Sequence, residues 1–357
     1  MIWQPKGLQG IRRTVQFLVI VMMITIPTLS RYTNYLGARE LDKSLERWDG
    51  TLQGEVLGGL DAVLRALPGG EKERVGRMVR NRTQVLEYAQ SVRGGPWSVQ
   101  IGPVSMTDPL AGAESIMASK QLVWVLLISL FIPIIGTVLF GRIFCSWVCP
   151  MGLLLEFTDK LRNLLRFLEI RPHNLHFSRS IKYVLLGVGL ALTVMMSMPI
   201  LGYIYPPAII GREAHDLVFG IFDRIEEGRS GFWMGGLTWM SLIILGIALF
   251  EVTVSRRWWC RYVCPGGGLY SLLGKIRVTR VKRVADKCTL CGDCVVVCPM
   301  GLVPMQDVMG VECDNCGLCV SSCNDDALGY SISLKDEPFV SSVGTNKTDK
   351  EGVVQSA

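Results

Sequence analysis

Two cysteine runs near the C-terminal end have the spacing of iron–sulfur ligands. The first run is CTLCGDCVVVCP at 288–299, and the second is CDNCGLCVSSC at 313–323. Each reads C-x2-C-x2-C-x3-C, a spacing in which three thiolates hold one cubane cluster and the fourth reaches a second cluster. The predicted ligands are Cys288, Cys291, Cys294 and Cys323 for one cluster, and Cys298, Cys313, Cys316 and Cys319 for the other.

Zinc is the simpler alternative, because C-x2-C pairs also bind zinc. Structural zinc sites, however, take four ligands from two separated pairs, which leaves the third and fourth cysteine of each run without a role. The doubled spacing therefore predicts two 4Fe-4S clusters in a bacterial-type ferredoxin domain of α+β class, which we assign to residues 271–334.

The remaining cysteines belong to a second, repeated motif. GRIFCSWVCPMGLL at 141–154 aligns with RRWWCRYVCPGGGL at 256–269, sharing an arginine, an aromatic residue, V-C-P and a glycine. Such a repeat indicates duplication of a two-helix unit. If the two units pack about a pseudo-twofold axis, four thiols converge: Cys145, Cys149, Cys260 and Cys264.

Three roles are open for these four thiols. They could bind a third iron–sulfur centre, act as a dithiol pair, or be small residues packed in a helical core. The repetition of the pair is not expected from packing alone. It favours the third redox centre, with the four cysteines as metal ligands.

Composition places these motifs in a membrane protein. The chain has 357 residues, of which 49% are hydrophobic and 19% charged, and its mean hydropathy is +0.34. All 12 cysteines belong to the motifs above, so none is left for a disulfide framework, and a reducing compartment is expected. The net charge of +6 arises beside apolar segments, which indicates membrane topology and no nucleic-acid partner.

Four apolar stretches predict a bundle of four transmembrane helices: 15–29, 122–140, 183–205 and 235–254. The fold class is thus mainly α, with the ferredoxin domain at its C-terminal end. The first stretch also fits a signal peptide, but no A-x-A site follows it, which favours a retained helix. The predicted divisions are a first helix at 1–30, a helical periplasmic domain at 31–119, helices 2–4 at 120–270, the ferredoxin at 271–334 and a disordered tail at 335–357.

The distribution of Lys and Arg predicts the orientation. Residues 141–182 carry seven basic residues against three acidic ones, whereas residues 202–234 carry three against five. Basic loops stay on the cytoplasmic side, so both termini and the ferredoxin are predicted to be cytoplasmic.

Several residues near that side are candidates for contact with a quinone. Aromatic side chains gather beside the C-x3-C motifs, although they also suit an interfacial aromatic belt: Phe144, Trp147, Trp258, Trp259 and Tyr262. His173 and His176 are spaced to touch a quinone carbonyl or a haem, or else belong to a solvated basic loop. Glu251 is expected to pair with Arg256 or Arg257, with proton relay as the alternative.

Four spans, two C-x3-C-P motifs and a C-terminal double ferredoxin resemble the NapH and MauN group of membrane ferredoxins, and the membrane half of NosR. The resemblance covers residues 120–330 and the leading helix. It implies a bacterial inner-membrane protein that passes electrons between the quinone pool and a partner such as a c-type cytochrome, a ferredoxin or a reductase. The first periplasmic loop is longer than in NapH and lacks the S-G-A-T signature of NosR, and Asn324 replaces a proline that often follows the last cysteine.

The leading functional hypothesis is therefore the electron-transfer subunit of a quinol dehydrogenase complex, rather than a stand-alone enzyme. The chain has no haem attachment site, flavin signature or G-x-G-x-x-G fingerprint that would support other redox chemistry. The alternatives are a maturation factor similar to CcoG, which reduces a metal or thiols, and a cluster-bearing anchor that docks a catalytic partner.

Overall fold

The protein is described by a computed structural model. It describes residues 2–3, 7–38, 41–66, 74–75, 78–79, 85–86, 89–95, 98–169, 175–226, 239–306 and 309–333. The predicted tail at 335–357 and the candidate His173 lie outside these residues.

The described part is mainly helical. Its N-terminal half contains α1 (Leu8–Ala38), α2 (Leu41–Arg47), α3 (Leu52–Ala66), α4 (Pro109–Ser119), α5 (Trp124–Phe140), α6 (Ile143–Trp147) and α7 (Pro150–Phe167). The remaining helices are α8 (Ile181–Met196), α9 (Pro206–Glu226), α10 (Trp239–Thr253), α11 (Pro265–Leu273), α12 (Asp293–Val297) and α13 (Leu318–Ser321).

One helix is long and apolar enough to cross a membrane by length and composition, namely the stretch Leu8–Leu36 of α1. Shorter apolar helices of 10–17 residues cover Trp124–Phe140, Ile181–Met196 and Met240–Thr253. Each of the four predicted apolar stretches therefore contains a helix within the described residues. The third ends early, because Ser197 adopts a left-handed conformation (φ 53°) and Pro199 follows.

Three small antiparallel sheets accompany the helices. The strands are β1 (Ile2–Trp3), β2 (Arg74–Val75), β3 (Met78–Val79), β4 (Val92–Gly95), β5 (Ser98–Ile101), β6 (Val104–Thr107), β7 (Thr279–Arg283) and β8 (Leu328–Ile332). β2 pairs with β3, and the second sheet has the order β4-β5-β6. In the third sheet, β8 lies between β7 and β1, so the first strand of the chain completes the ferredoxin sheet.

The segment 31–119 differs from the helical expectation. Residues 92–107 form the sheet β4–β6, whose strand β6 packs against α5, and α4 packs against α8 and α11. Valine, isoleucine and methionine alternate with polar residues here, and Gly102 turns the chain with φ 58°. This period-2 pattern is the strand signal. The sheet and α4 therefore both contact helices outside the segment 31–119.

The helices repeat as two similar units. In the first, α4 precedes α5, and α5 leads to a C-x3-C-P motif and then to α7; in the second, α9, α10, the other motif and α11 follow in the same order. The first helix of each unit packs against the last helix of the other unit: α4 contacts α11, and α9 contacts α7. The contact between α8 and α4 is equivalent to the contact between α1 and α9, because α4 and α9 are the first helices of the two units. The repeat is thus larger than the predicted two-helix unit.

Candidate functional site

The two ferredoxin runs line two separate cavities. The outer ferredoxin cavity is lined by Cys288, Cys291, Cys294 and Cys323. The inner ferredoxin cavity is lined by Cys298, Cys313, Cys316 and Cys319. Each cavity takes three cysteines from one run and the fourth from the other run, which is the grouping that the spacing predicts.

The backbone of the two runs turns in the same way at equivalent positions. Leu290 and Asn315, each directly before the second cysteine, have φ values of 59° and 51°. Gly292 and Gly317, each directly after it, have φ values of 88° and 74°. Left-handed backbone conformations are routine for glycine but unfavourable for residues that have a β-carbon. A glycine therefore suits the position at which each loop turns around its cavity.

The fourth cysteine of each run also receives a backbone hydrogen bond. The N–H of Leu302 donates to Cys298 Sγ at 3.4 Å, and that of Ala327 donates to Cys323 Sγ at 3.3 Å. Hydrogen bonds to ligand sulfurs and solvent exposure help to set the reduction potentials of iron–sulfur clusters. Cys291 is exposed and Cys316 is buried, so the two cavities differ in their access to water.

The four remaining cysteines line one further cavity, here called the C-x3-C cavity. They are Cys145, Cys149, Cys260 and Cys264. The structure thus brings both motifs together, although the chain separates them by more than a hundred residues. Among the described residues, no group of three His, Cys, Asp or Glu side chains is close enough to hold a single metal ion.

Both motifs share a local turn that an α-helix does not make. The N–H of Cys149 donates to the carbonyl of Phe144 at 2.8 Å, and the N–H of Cys264 donates to that of Trp259 at 2.8 Å. Both bonds span five residues, as in a π-helix, a geometry often found at functional sites. A proline then starts the next helix, where its missing N–H costs nothing.

Burial changes the acidity of these thiols. It raises the pKa of Cys145, Cys149 and Cys260 above the ordinary value, and that of Cys264 to about 12, and neighbouring thiols add to the effect in Cys149, Cys260 and Cys264. The thiols therefore keep their protons at neutral pH unless a metal displaces them. A buried group of thiolates needs positive charge nearby, and the guanidinium of Arg142, 1% exposed, lines the same cavity.

The wall of this cavity also contains a hydrogen-bonded trio that sequence reasoning missed. The Oδ2 atom of Asp108 accepts hydrogen bonds from Tyr205 Oη at 2.6 Å and from Tyr270 Oη at 2.7 Å. Burial raises the pKa of Asp108, which these hydrogen bonds partly oppose. The available signals were the dipeptides Asp108-Pro109 and Tyr205-Pro206, since proline favours the first helical position.

Two helices therefore begin at the C-x3-C cavity, one in each unit. Asp108 caps α4 by accepting the N–H of Leu110 at 2.8 Å, and α9 starts directly after Tyr205. Helix N-termini carry partial positive charge. The two helix starts thus add partial positive charge to a cavity that also contains Arg142 and the carboxyl group of Asp108.

Short contacts join the C-x3-C cavity to the inner ferredoxin cavity. Ser146, which lies between Cys145 and Cys149, donates its hydroxyl to the carbonyl of Asp314 at 2.8 Å. From the second motif, Arg261 donates to the carbonyl of Pro299 at 2.7 and 3.0 Å. Since Asp314 follows Cys313 and Pro299 follows Cys298, both motifs contact ligand loops of the inner cavity directly.

The other sequence candidates are distributed differently. Phe144 lines the C-x3-C cavity and stacks on Tyr270, with ring centroids 5.8 Å apart, whereas Trp258 packs against Phe250 at 4.5 Å. His176 is exposed. The predicted aromatic group thus does not form one pocket in the described residues.

Glu251 differs from its expected pairing. Its carboxylate accepts the backbone N–H groups of Trp258 at 2.9 Å and Trp259 at 2.8 Å, so it caps the turn that carries the second motif. Arg257 instead forms an ion pair with Asp159 at 3.4 Å. Backbone N–H groups at a helix start lack an acceptor within the helix and carry partial positive charge, so they attract a carboxylate.

Comparison with known proteins identifies regions of the chain that match iron–sulfur family models. A family model described as "4Fe-4S binding domain" matches the chain twice, at residues 122–167 and 237–283, once over each C-x3-C-P motif. A second model with the same description matches residues 280–303. No solved structure gives a significant match to the chain.

The similar curated proteins are ferredoxin-type proteins. "Ferredoxin-type protein NapH" of Escherichia coli is 32% identical over 255 residues, covering 65% of this chain and 81% of that protein. NapH of Haemophilus influenzae is 28% identical over 250 residues, covering 66% and 78%. "Methylamine utilization ferredoxin-type protein MauN" of Methylobacillus flagellatus is 29% identical over 208 residues, covering 57% and 64%. The chain therefore belongs to the family of ferredoxin-type iron–sulfur proteins that includes NapH and MauN.

Proposed function

We propose that the protein is a membrane-embedded electron-transfer subunit that connects a lipid-soluble quinol to a redox partner. The observation that carries the proposal is the series of three cysteine-lined cavities. The C-x3-C cavity contacts the inner ferredoxin cavity through Ser146 and Asp314. The inner and outer cavities exchange their fourth cysteines, and the outer one reaches the surface at Cys291.

The two ferredoxin cavities suit one 4Fe-4S cluster each. Each offers four cysteine thiols in the cubane ligand spacing and an enclosed, largely apolar lining. The four cysteines of the C-x3-C cavity suit a third iron–sulfur centre, which Arg142 and the starts of α4 and α9 stabilise electrostatically. When bound, such groups would supply one-electron chemistry, while the chain holds them in series.

Exposed apolar surface supports the membrane location. Trp124 and Phe131 of α5 are 78% and 64% exposed, and Val184 of α8 is 61% exposed. Soluble proteins rarely expose such helical faces together. The helix α5, with 17 residues, is about 26 Å long and α1 is about 46 Å long, and the hydrocarbon layer is roughly 30 Å thick. Helices somewhat shorter than the layer are accommodated by local thinning.

The ferredoxin sheet supports an orientation with both ends of the chain on one side. β1 at Ile2–Trp3 pairs with β8 at Leu328–Ile332, so the start of α1 and the ferredoxin share a face of the helical bundle. The excess of Lys and Arg at 141–182 assigns that face to the cytoplasm of a bacterial inner membrane.

Anaerobic purification followed by iron and sulfide determination tests the cofactor content. Two cubane sites require about eight iron atoms per chain, and the third centre adds about two to four. Electron paramagnetic resonance of the protein in membranes, after addition of a reduced quinol analogue with its redox partner present, tests the donor. Iron well below eight atoms per chain, or clusters that dithionite reduces but quinol does not, would contradict the cofactor and donor assignments respectively.

A further inference from the structure

Helix α9 carries a run of ionisable residues that packs beside α1, although the sequence predicts an external loop there. Arg212, Glu213, His215 and Asp216 follow one another on α9, which packs along α1. A cation–π contact also joins the two helices: the guanidinium of Arg31 on α1 lies 5.1 Å from the ring centroid of Phe219 on α9. The charge count along the sequence assigns this run to an external loop, so its packing against α1 is a structural finding.

A cavity of about 470 Å³ lies between α1 and α9 at this run. Arg212, His215 and Asp216 form its polar side, and the segment from Met22 to Pro27 forms its apolar side. That segment is near the middle of α1, between Arg13 and Arg31. In the proposed orientation the cavity therefore lies at membrane depth, where ionisable side chains are costly and mark functional sites.

Arg212, which lines both this cavity and a neighbouring one beside α4, has a donor without an acceptor among the described residues. The Nη1 atom of Arg212 is buried and has no hydrogen-bond partner among the residues that the structure describes, while its guanidinium stacks over Tyr203 at 4.7 Å. An unsatisfied buried donor is unfavourable, and more so when it is charged. A ligand with a carbonyl or hydroxyl oxygen would remove that cost.

We propose that this cavity binds the quinol head group. The inference rests on the proposed function and locates its donor. A volume of several hundred Å³ with an apolar wall and a few polar groups is typical of a small-molecule site. The ring lies against Met22 and Met23, one ring oxygen accepts from Arg212, and His215 and Asp216 face the hydroxyl protons. The site is distinct from the aromatic residues beside the C-x3-C motifs.

The redox step balances with groups already named. A quinol loses two protons and two electrons and becomes a quinone. One proton passes to the imidazole of His215 and the other to the carboxylate of Asp216, whose side chains are 48% and 58% exposed. The electrons pass one at a time towards the C-x3-C cavity, with which this cavity shares Ser98, and reduce two cysteine-held iron–sulfur clusters by one electron each.

A neighbouring cavity of about 450 Å³ supplies a matched control. It is lined by small residues of α4, including Ala118, and by Glu114, and it shares Arg212 with the proposed site. A quinol bound there would contact α4, not α1. Filling this second cavity with Ala118→Leu therefore separates the two locations.

The experiment uses the full chain in nanodiscs with its clusters intact. A photoreactive azidoquinone is bound and cross-linked, and the labelled peptides are identified by mass spectrometry. We expect labelling of α1 near Met23 and of α9 near His215, which the variant Met23→Trp abolishes and Ala118→Leu preserves. In parallel, His215→Gln should slow cluster reduction by quinol about a hundredfold, the usual range for loss of a proton acceptor. Iron content and reduction by dithionite should stay unchanged.

The outcomes separate the inference from the function on which it rests. Labelling of α4, or of the segment around Trp258, together with unchanged rates in Met23→Trp and His215→Gln, overturns this site while quinol-linked electron transfer stands. If the unaltered protein is reduced by dithionite but neither labelled nor reduced by quinol, both fail. Labelling at α1 and α9 with unchanged rates in His215→Gln retains the binding site and overturns its role in proton acceptance.

Discussion

The guanidinium of Arg142 donates a hydrogen bond to the carboxylate of Glu312 at 2.8 Å, and both side chains are buried. Arg142 lies three positions before Cys145, the start of the first C-x3-C motif, and Glu312 directly precedes Cys313. Lys182 pairs with the same carboxylate, and Tyr183 Oη donates to it at 2.7 Å. One acidic side chain therefore joins the ferredoxin both to the start of the first C-x3-C segment and to α8.

Replacing this acid by its amide should loosen the ferredoxin. Glu312→Gln leaves two buried cations without a counter-charge, so we expect a loss of about 3 kcal/mol in unfolding free energy, as for other broken buried pairs. Limited proteolysis and thermal unfolding of the membrane-reconstituted protein measure this. Asp325→Asn, at an exposed hydrogen bond with Thr289, is the control and should change stability by less than about 0.5 kcal/mol. Equal melting temperatures for the two variants would contradict the anchoring role of Glu312.

The shared C-x3-C cavity predicts non-additive substitutions. Cys145→Ser and Cys260→Ser come from different units but remove ligands of one centre, so each should lose the same two to four iron atoms, roughly. The double variant should be no worse than either single one. Iron determination and electron paramagnetic resonance provide the readout. Independent losses that add up would instead indicate two separate sites.

The crossed grouping of the ferredoxin cysteines predicts which cluster each substitution removes. Cys298→Ala should change the spectrum of the same cluster as Cys313→Ala, although Cys298 belongs to the first run. Cys323→Ala should instead match Cys288→Ala. Spectra taken at successive potentials distinguish the clusters, because solvent exposure and hydrogen bonding set their potentials apart. If Cys298→Ala matched Cys288→Ala, the grouping would be wrong.

Topology can be tested with reporter fusions. Fusions at residues 75 and 220 should be active on the periplasmic side, and fusions at 165 and 340 on the cytoplasmic side, as the distribution of Lys and Arg predicts. A reporter ahead of β1 should agree with the one at 340, because β1 pairs with β8. A periplasmic signal at 340 would reverse the orientation and place the thiols in an oxidising compartment.

The parts of the site that were predictable from sequence are those with a strict spacing. Cys288 and its partners follow a pattern that fixes the grouping, and the duplicated V-C-P around Cys149 and Cys264 predicts convergence. Asp108 was not predictable, because its partners Tyr205 and Tyr270 come from distant segments and a single aspartate has no periodic signal. The packing of α9 against α1 was not predictable from sequence for a related reason. Its charged residues have the composition of a loop, and only tertiary contacts show that this helix packs along α1.

The pairing of β1 with β8 has a consequence for how the chain is made. Some 325 residues separate Trp3 from its partner Tyr330, so β1 is synthesised long before the strand with which it pairs. Contacts so distant in sequence form slowly. During translation the edge of the ferredoxin sheet stays open, and the N-terminal segment remains free for any factor that inserts iron. Sealing that edge can therefore act as the final step of assembly, after all helices and ligands are in place.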